Sequence, residues 1–489
     1  MIETTLLRQK ILDLAIQGKL VEQRPDEGTA EDLYTQIQAE KTALIKAGKL
    51  KKDKPLPEIT ADELPFDIPP TWKWVRLGEC GDYRKGPFGS ALTKSMFVPK
   101  GEKTIKVYEQ KNAIQKDATL GSYYIDEDYF KEKMSSFEVL PGDVIVSCAG
   151  TIGETYVMPD GIEQGIINQA LMRMRLLSSI HVPYFLVFFD FMLKKSARSE
   201  SKGSAIKNIP PFDVFKQYLI PLPPLAEQQR IVEKVEALMT QVEVIEATTV
   251  ELERTASLTR EKLLTLAIQG KLVEQRPNEG AAEALYAQIQ AEKTALIKAG
   301  KLKKDKPLPE ITADELPFDI PPTWKWVRLG ECTNYAQSKE KVKGDAIEPT
   351  MWSLDLEDIE KDTGLVIQRI LASERVIKGD KVRFYKGQVL YSKLRPYLKK
   401  VLVAPEDGVC SSEIVPFSSY VGIDANFLVY VLTSPYVDFV INSVTYGVKM
   451  PRVGTETMVN LLIPLPPLAE QQRIVERLEQ LLALTQQLC

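Results

Sequence analysis

The chain has 489 residues, a length that predicts about three globular units at roughly 100–200 residues each. Its longest apolar run, 182–193, is interrupted by Asp190, and no stretch approaches the roughly 20 apolar residues that cross a bilayer. The 63 basic and 67 acidic residues leave a net charge of −4, which averaged over the chain argues against binding to nucleic acid.

The N-terminus, Met1-Ile2-Glu3-Thr4-Thr5, has no basic stretch followed by an apolar one, so neither export nor membrane anchoring is expected and the chain reads as cytoplasmic. Cys80, Cys148, Cys332, Cys410 and Cys489 are scattered, with no C-x-x-C pair, and are expected as reduced thiols rather than disulfides or zinc ligands. The single histidine, His181, removes most metal sites and histidine-based triads.

A long internal repeat organises the chain. Residues 6–80 recur as 258–332 with 67 of 75 positions identical, and LIPLPPLAEQQRIVE occurs at 219–233 and again at 462–476. The inserts between these repeats, 81–218 and 333–461, share almost no identity. A chain that begins and ends in mid-cycle in this way predicts a pseudo-two-fold, circularly permuted object. Its expected parts are an N-terminal helix (1–18), a connector (19–68), a first α/β domain (69–218), a central helix (219–272), a second connector (273–320), a second α/β domain (321–461) and a C-terminal helix (462–489).

In chain order, the first helix carries Leu7, Ile11 and Leu14 and stops at Gly18. The connector begins helically and ends in the lysine-rich KAGKLKKDKPLP, which reads as a solvated linker. Pro69-Pro70-Thr71-Trp72-Lys73-Trp74 then opens the first insert, with the two tryptophans on opposite faces of an extended segment and one of them anchoring the domain edge. That insert has strand-like runs at 143–148 and 166–176 and a helix at 182–197. From 226 to 269 there is no Pro or Gly. Eight of the ten positions Val235, Leu238, Val242, Ile245, Thr249, Leu252, Ala256, Thr259, Leu263 and Leu266 are apolar, a heptad seam that predicts a coiled-coil rod of roughly 66 Å. Ile474, Leu478 and Leu481 continue the matching seam, so two antiparallel rods are expected. The second insert has strands at 388–392 and 401–403 and a helix at 425–440, which makes the inserts diverged versions of one α/β domain.

Charge is segregated along this order. Residues 378–400 hold eight basic side chains against Asp380, and 194–207 hold five against Glu200, whereas 226–261 hold four basic and eight acidic residues. Basic inserts suit phosphate contacts and an acidic rod suits protein partners. Catalytic motifs are lacking: there is no GxxxxGK[ST] loop, and Ile209 breaks the Asn-Pro-Pro-aromatic pattern at 208–212. Pro25-Asp26 with Glu40-Lys41 is a poor match to a nuclease motif, and the copy has Asn278 in place of the aspartate. Gly150 to Gly153 reads as a tight turn.

Taken together, LPPLAEQQRIVE twice, LAIQGKLVEQ twice, P-P-x-W-x-W-x-x-L-G twice and two unlike inserts resemble the DNA-specificity subunits of type I restriction–modification systems, over essentially the whole chain. GDVIVSCAGTIGETYVM with Asn168-Gln169, and GQVLYSKLRPYLKKVLV, resemble that family's target-recognition domains. The resemblance implies an α/β fold with two target-recognition domains on two long antiparallel coiled-coil helices. It also implies a non-catalytic chain that reads a bipartite, asymmetric double-stranded DNA site, with half-sites about one helical turn apart presenting the same face. Two methylation subunits and the restriction–translocation subunits are the implied partners, and S-adenosylmethionine, ATP and Mg belong to those partners, with no cofactor and no membrane for this chain. The expected DNA-contacting residues are Lys85, Lys106, Lys111, Asn112, Ser147, Thr151, Lys202, Ser204, Lys207 and Asn208 in the first domain. In the second they are Lys393, Arg395, Lys399, Lys449 and Arg452.

Overall fold

The computed structural model describes residues 3–486 except 53, 150, 200–211, 305, 336, 338–339 and 446–449. The chain divides into two units, 1–247 and 248–489.

In the first unit the helix Thr4–Ile16 ends where Gly18 turns left-handed (φ +66°), and the Lys19 N–H returns to the Leu14 carbonyl at 2.9 Å. A side chain on Gly18 would also meet Pro69 at 2.4 Å, so the stop is fixed by both φ and packing. Arg8 pairs with Glu246 at 2.8 Å, while Ile11, Leu12 and Ala15 share a buried cluster with Ile231, Val232 and Val235. The first helix therefore runs antiparallel to the beginning of the helix Leu225–Ile268, as the heptad seams predicted. A second helix, Ala30–Lys46, follows. Strand Lys73–Arg76 then pairs antiparallel with Leu219–Leu222, Trp74 opposite Pro221. One strand from each repeat thus closes the neck of the inserted domain.

That domain holds two four-stranded sheets. One orders Gly81–Lys85, Leu171–Leu176, Val144–Ser147 and Thr155–Val157, all antiparallel. The other orders Tyr124–Asp126, Thr104–Tyr108, Gly165–Ile167 and Glu138–Val139 around the parallel pair Thr104–Tyr108 and Gly165–Ile167. Tyr83, Val144, Val146, Met172 and Met174 face a core shared with Phe185 and Phe189 of the helix Val182–Ser199.

The second unit repeats the frame. Gly270 (φ +67°) ends the long helix, Ala282–Lys298 is the next helix, and Lys325–Arg328 pairs with Leu462–Leu465. Its insert orders Val401–Val403, Val389–Ser392 and Ile414–Phe417 in one sheet, and places Trp352–Leu354 parallel to Gly408–Cys410 in another. The hairpin Val389–Val403 takes the place of Val144–Val157, and a parallel pair recurs beside it. The inserts share this core in unlike sequences and differ at the sheet edges, where the second adds Glu340–Val342 beside Lys381–Phe384.

Two expectations change. A single helix over 425–440 is instead Ala425–Leu432 and Pro435–Val444, bent by 57°. Pro435 has no N–H for the preceding turn, and the Ser434 hydroxyl accepts the Val437 N–H to start the second helix afresh. In the second half of the long helix the buried stripe is Leu264, Ala267 and Ile268, not Leu263 and Leu266. It packs with Ile474, Val475, Leu478 and Leu482 in the core that also holds Phe427 and Val431, so a domain core covers a broader stripe than a two-rod seam. Among the described residues no single helix is long and apolar enough to cross a membrane.

Candidate nucleic-acid interface

The repeats supply a rigid mount. Trp72 donates its indole N–H to the Glu227 carboxylate at 2.9 Å, Gln23 donates to the other oxygen at 2.5 Å, and Trp324, Glu470 and Gln275 duplicate both distances. Burial pushes Glu227 and Glu470 above the usual carboxylate range, opposed by those bonds. Arg230 forks onto Glu27 at 2.8 and 2.6 Å, and Arg473 onto Glu279 at 2.9 and 2.6 Å. Glu40 accepts from the backbone and hydroxyls of Ser178 and Ser179 at 2.7–3.1 Å, and Lys41 donates to the Gly78 carbonyl. This glutamate–lysine pair is a clamp on the domain, not a nuclease remnant.

In the first domain one end of the antiparallel sheet gathers the exposed polar residues. Val144–Ser147 runs into a turn closed by Ser147, whose hydroxyl donates to the Thr151 carbonyl and accepts the Glu154 N–H at 3.0 Å. Thr151 is exposed at its tip. Burial pushes the neighbouring Cys148 thiol up to about 11, and the exposed Lys85 lies near the turn, since Cys148 N–H binds the Ala170 carbonyl and Gly86 N–H the adjacent Leu171 carbonyl. The side chain of Gln110 bonds to the Ala149 carbonyl, and the adjacent Lys111 pairs with Glu109 at 2.9 Å. Gly86 lies so close to the Asn168 carbonyl that a Cβ would fall 1.8 Å from it, so the Gly86-Pro87-Phe88-Gly89 loop is pressed onto Asn168-Gln169. Phe88 at its apex is 89% exposed. Sequence reasoning passed over it, although a phenylalanine between Pro and Gly next to a lysine was a readable signal.

Three expected contacts are withdrawn from this edge. Lys106 is 1% exposed; its ammonium donates to the Ala118 and Thr119 carbonyls and pairs with Glu163, since a buried cation must find acceptors. Asn112 is buried, taking the Glu109 N–H and donating to the Asp117 and Leu120 carbonyls. The Ser147 side chain is likewise buried, in its turn. Lys202, Ser204, Lys207, Asn208 and Lys449 lie outside the described residues.

In the second domain the equivalent hairpin loop carries Lys393, Arg395 and Lys399. Arg395 and Lys399 both sit at φ +49° around the turn Pro396–Leu398, a conformation costing roughly 1–2 kcal/mol for a residue with a Cβ. Such strain persists where surrounding bonds over-determine the backbone. Here Arg395 N–H binds the Pro451 carbonyl at 2.8 Å, Val453 N–H binds Lys393, and Lys393 N–H binds Glu413. The turn presents Tyr397, 46% exposed, another residue sequence reasoning missed. Among the described residues Arg395 Nε is buried without a hydrogen-bond partner. Arg452 forks onto Glu413 at 3.1 and 3.2 Å, Lys393 lies 3.9 Å from the same carboxylate, and Lys399 pairs with Asp438 at 3.2 Å. Lys381 pairs with Asp355 and Arg383 with Glu340. The excess positive charge of 378–400 is therefore partly cancelled by carboxylates remote in sequence.

Fold and site define a duplicated protein in which one scaffold carries two α/β domains of shared core topology and unlike, polar loop edges. The family described as type I restriction modification DNA specificity domain matches residues 69–254 and 323–488, and the chain belongs to that family. It is 29% identical over 547 aligned residues to the specificity subunit of the type I restriction enzyme EcoAI from Escherichia coli, covering 97% of this chain and 88% of that one. The EcoEI specificity subunit from the same species is 31% identical over 376 residues, covering 66% of this chain and 61% of its own. A solved chain, from work on complex assembly and conformational transition of the type I R-M system, has the same fold (TM-score 0.51, 22% identity, 87% of this chain and 93% of that one).

Proposed function

We propose that this chain is the DNA-reading subunit of a type I restriction–modification assembly and performs no chemistry itself. Each inserted domain reads one half of a split, asymmetric double-stranded site. Two methylation subunits carry adenine N6 methylation with S-adenosylmethionine, and restriction–translocation subunits use ATP and Mg, all in the cytoplasm. The observation that carries this reading is the pair of hairpin loops, 148–154 and 393–400. They hang from equivalent strands but expose different side chains: Thr151 on the first, beside the exposed Lys85 and Phe88 of the neighbouring 85–89 segment, and Tyr397 on the second. Equivalent mounts with unlike faces suit two different base sequences, because base edges in the grooves carry the information while phosphates only position.

Reactive groups point the same way. Burial holds the Cys80 thiol up at about 12 and Cys148 at about 11, so neither is a ready thiolate. Glu40 and Lys41 are committed to the clamp. The test is to incubate the purified chain with labelled methyl donor and DNA, alone and with the methylation subunit. Incorporation is expected only in the mixture; incorporation by the chain alone would overturn the reading.

A further inference from the structure

The lysines of the connector are exposed, as expected of a solvated linker, but its proline-containing end is pinned. Arg76, 3% exposed, reaches into it and donates to the carbonyls of Pro57 (2.8 Å) and Glu58 (3.0 Å), while also binding the Gln217 carbonyl and pairing with Glu63 at 2.7 Å. Arg328 repeats each bond in the second unit, to Pro309, Glu310, Asn460 and Glu315. Pinned in this way against the helix Ala30–Lys46, the connector of the first unit walls a groove of about 580 Å³.

The groove has a mixed lining. Lys41, Lys52, Lys54 and Lys73 stand over an apolar wall that includes Leu56 and Trp74, and five basic lining residues face two acidic ones, Glu58 and Glu79. Lys41 and Lys73 are tethered, to the Gly78 carbonyl and to Glu31. Lys52 and Lys54 are exposed and have no ion pair among the described residues. All 16 lining residues recur unchanged 252 positions later, and the eight differences between the two copies all fall before residue 36.

We propose that this groove is a protein-docking site, present once in each unit, for a segment of the methylation subunit that combines carboxylates with apolar side chains. The inference rests on the function proposed above. The identity of the lining residues in the two repeats, which carry unlike recognition domains, fits a ligand common to both units better than either half-site DNA. The exposed Lys52 and Lys54 select carboxylates, and the apolar floor suits a polypeptide better than a phosphate backbone.

The experiment uses the full chain, labelled methylation subunit, and the variants Lys52→Glu with Lys54→Glu, Lys304→Glu with Lys306→Glu, and all four together. The unaltered chain takes up two methylation subunits. Each double variant keeps one tight site and weakens the other about tenfold, and the fourfold variant loses both at concentrations that saturate the unaltered chain. Binding to duplex DNA of unrelated sequence and thermal unfolding stay unchanged. Retention of both subunits by the fourfold variant overturns the inference, as does a loss confined to DNA binding, which would assign the groove to nucleic acid. Failure of the unaltered chain to take up any methylation subunit overturns the proposed function itself, and this inference with it.

Discussion

Replacing Trp72 by Phe removes one of the two donors to the buried Glu227 carboxylate while leaving an aromatic ring in place. A hydrogen bond to a charged group contributes about 1.5–3 kcal/mol, and shrinking the ring of a residue only 6% exposed adds about 1 kcal/mol of lost packing, so the expected cost is about 3 kcal/mol. The sign of its pH dependence follows from Glu227. Its folded pKa is already raised, chiefly by burial, so its contribution to stability is fully present below the ordinary carboxylate pKa and is lost as pH rises through the folded value. The Trp72 bond limits that loss by favouring the ionised form. The variant should therefore be most destabilised at neutral pH and recover toward the unaltered chain in mild acid, where the carboxyl is protonated. Urea unfolding of Trp72→Phe, Glu227→Gln and the double variant at both pH values measures this, and Trp324→Phe should match Trp72→Phe within about 0.5 kcal/mol. A cost under about 1 kcal/mol, or one independent of pH, would refute the reasoning.

Three further outcomes are expected. Glu40→Gln should cost about 1–2 kcal/mol through its bonds to Ser178 and Ser179; because Glu40 is held below the usual carboxylate range, the difference is present above the ordinary carboxylate pKa and vanishes as pH falls through the folded value, as thermal unfolding across pH will show. Lys393→Ala with Arg395→Ala should weaken binding to sites containing one half of the target and lower the salt slope by about one for each phosphate no longer neutralised; unchanged affinity in a salt titration contradicts that edge. Lys85→Ala with Phe88→Ala, both exposed, should leave stability within about 0.5 kcal/mol yet relax recognition of the other half alone, read by comparing binding to half-site variants.

Much of this architecture was legible in the residues. The repeats announced the frame, Val401–Val403 formed as read, and the long helix fell within a residue of the Pro- and Gly-free stretch 226–269, because such a stretch between strong stops leaves little choice; residues 219–222 and 462–465, expected within the central and C-terminal helices, form strands instead. The break before Pro435 was equally readable but was overlooked in favour of apolar continuity. Other features depend on pairing across long separations. Arg76 binding the connector, Lys106 folding inward onto the 118–119 carbonyls, and Glu413 neutralising Lys393 and Arg452 are invisible to any count of charge along a window. The lysines of the connector are solvated as read, but the groove that Lys52 and Lys54 line comes from the same long-range packing, and Phe88 and Tyr397 stood out only once their exposure was known.

The central claim is that the two inserts separately specify two halves of one DNA site. Mapping methylated adenines in DNA from cells carrying this chain and its partner subunits, before and after residues 81–218 are exchanged for the corresponding insert of a relative, tests it most directly. A split, asymmetric sequence in which one half changes and the other stays is the predicted result; a single continuous sequence, or one unaltered by the exchange, would contradict it.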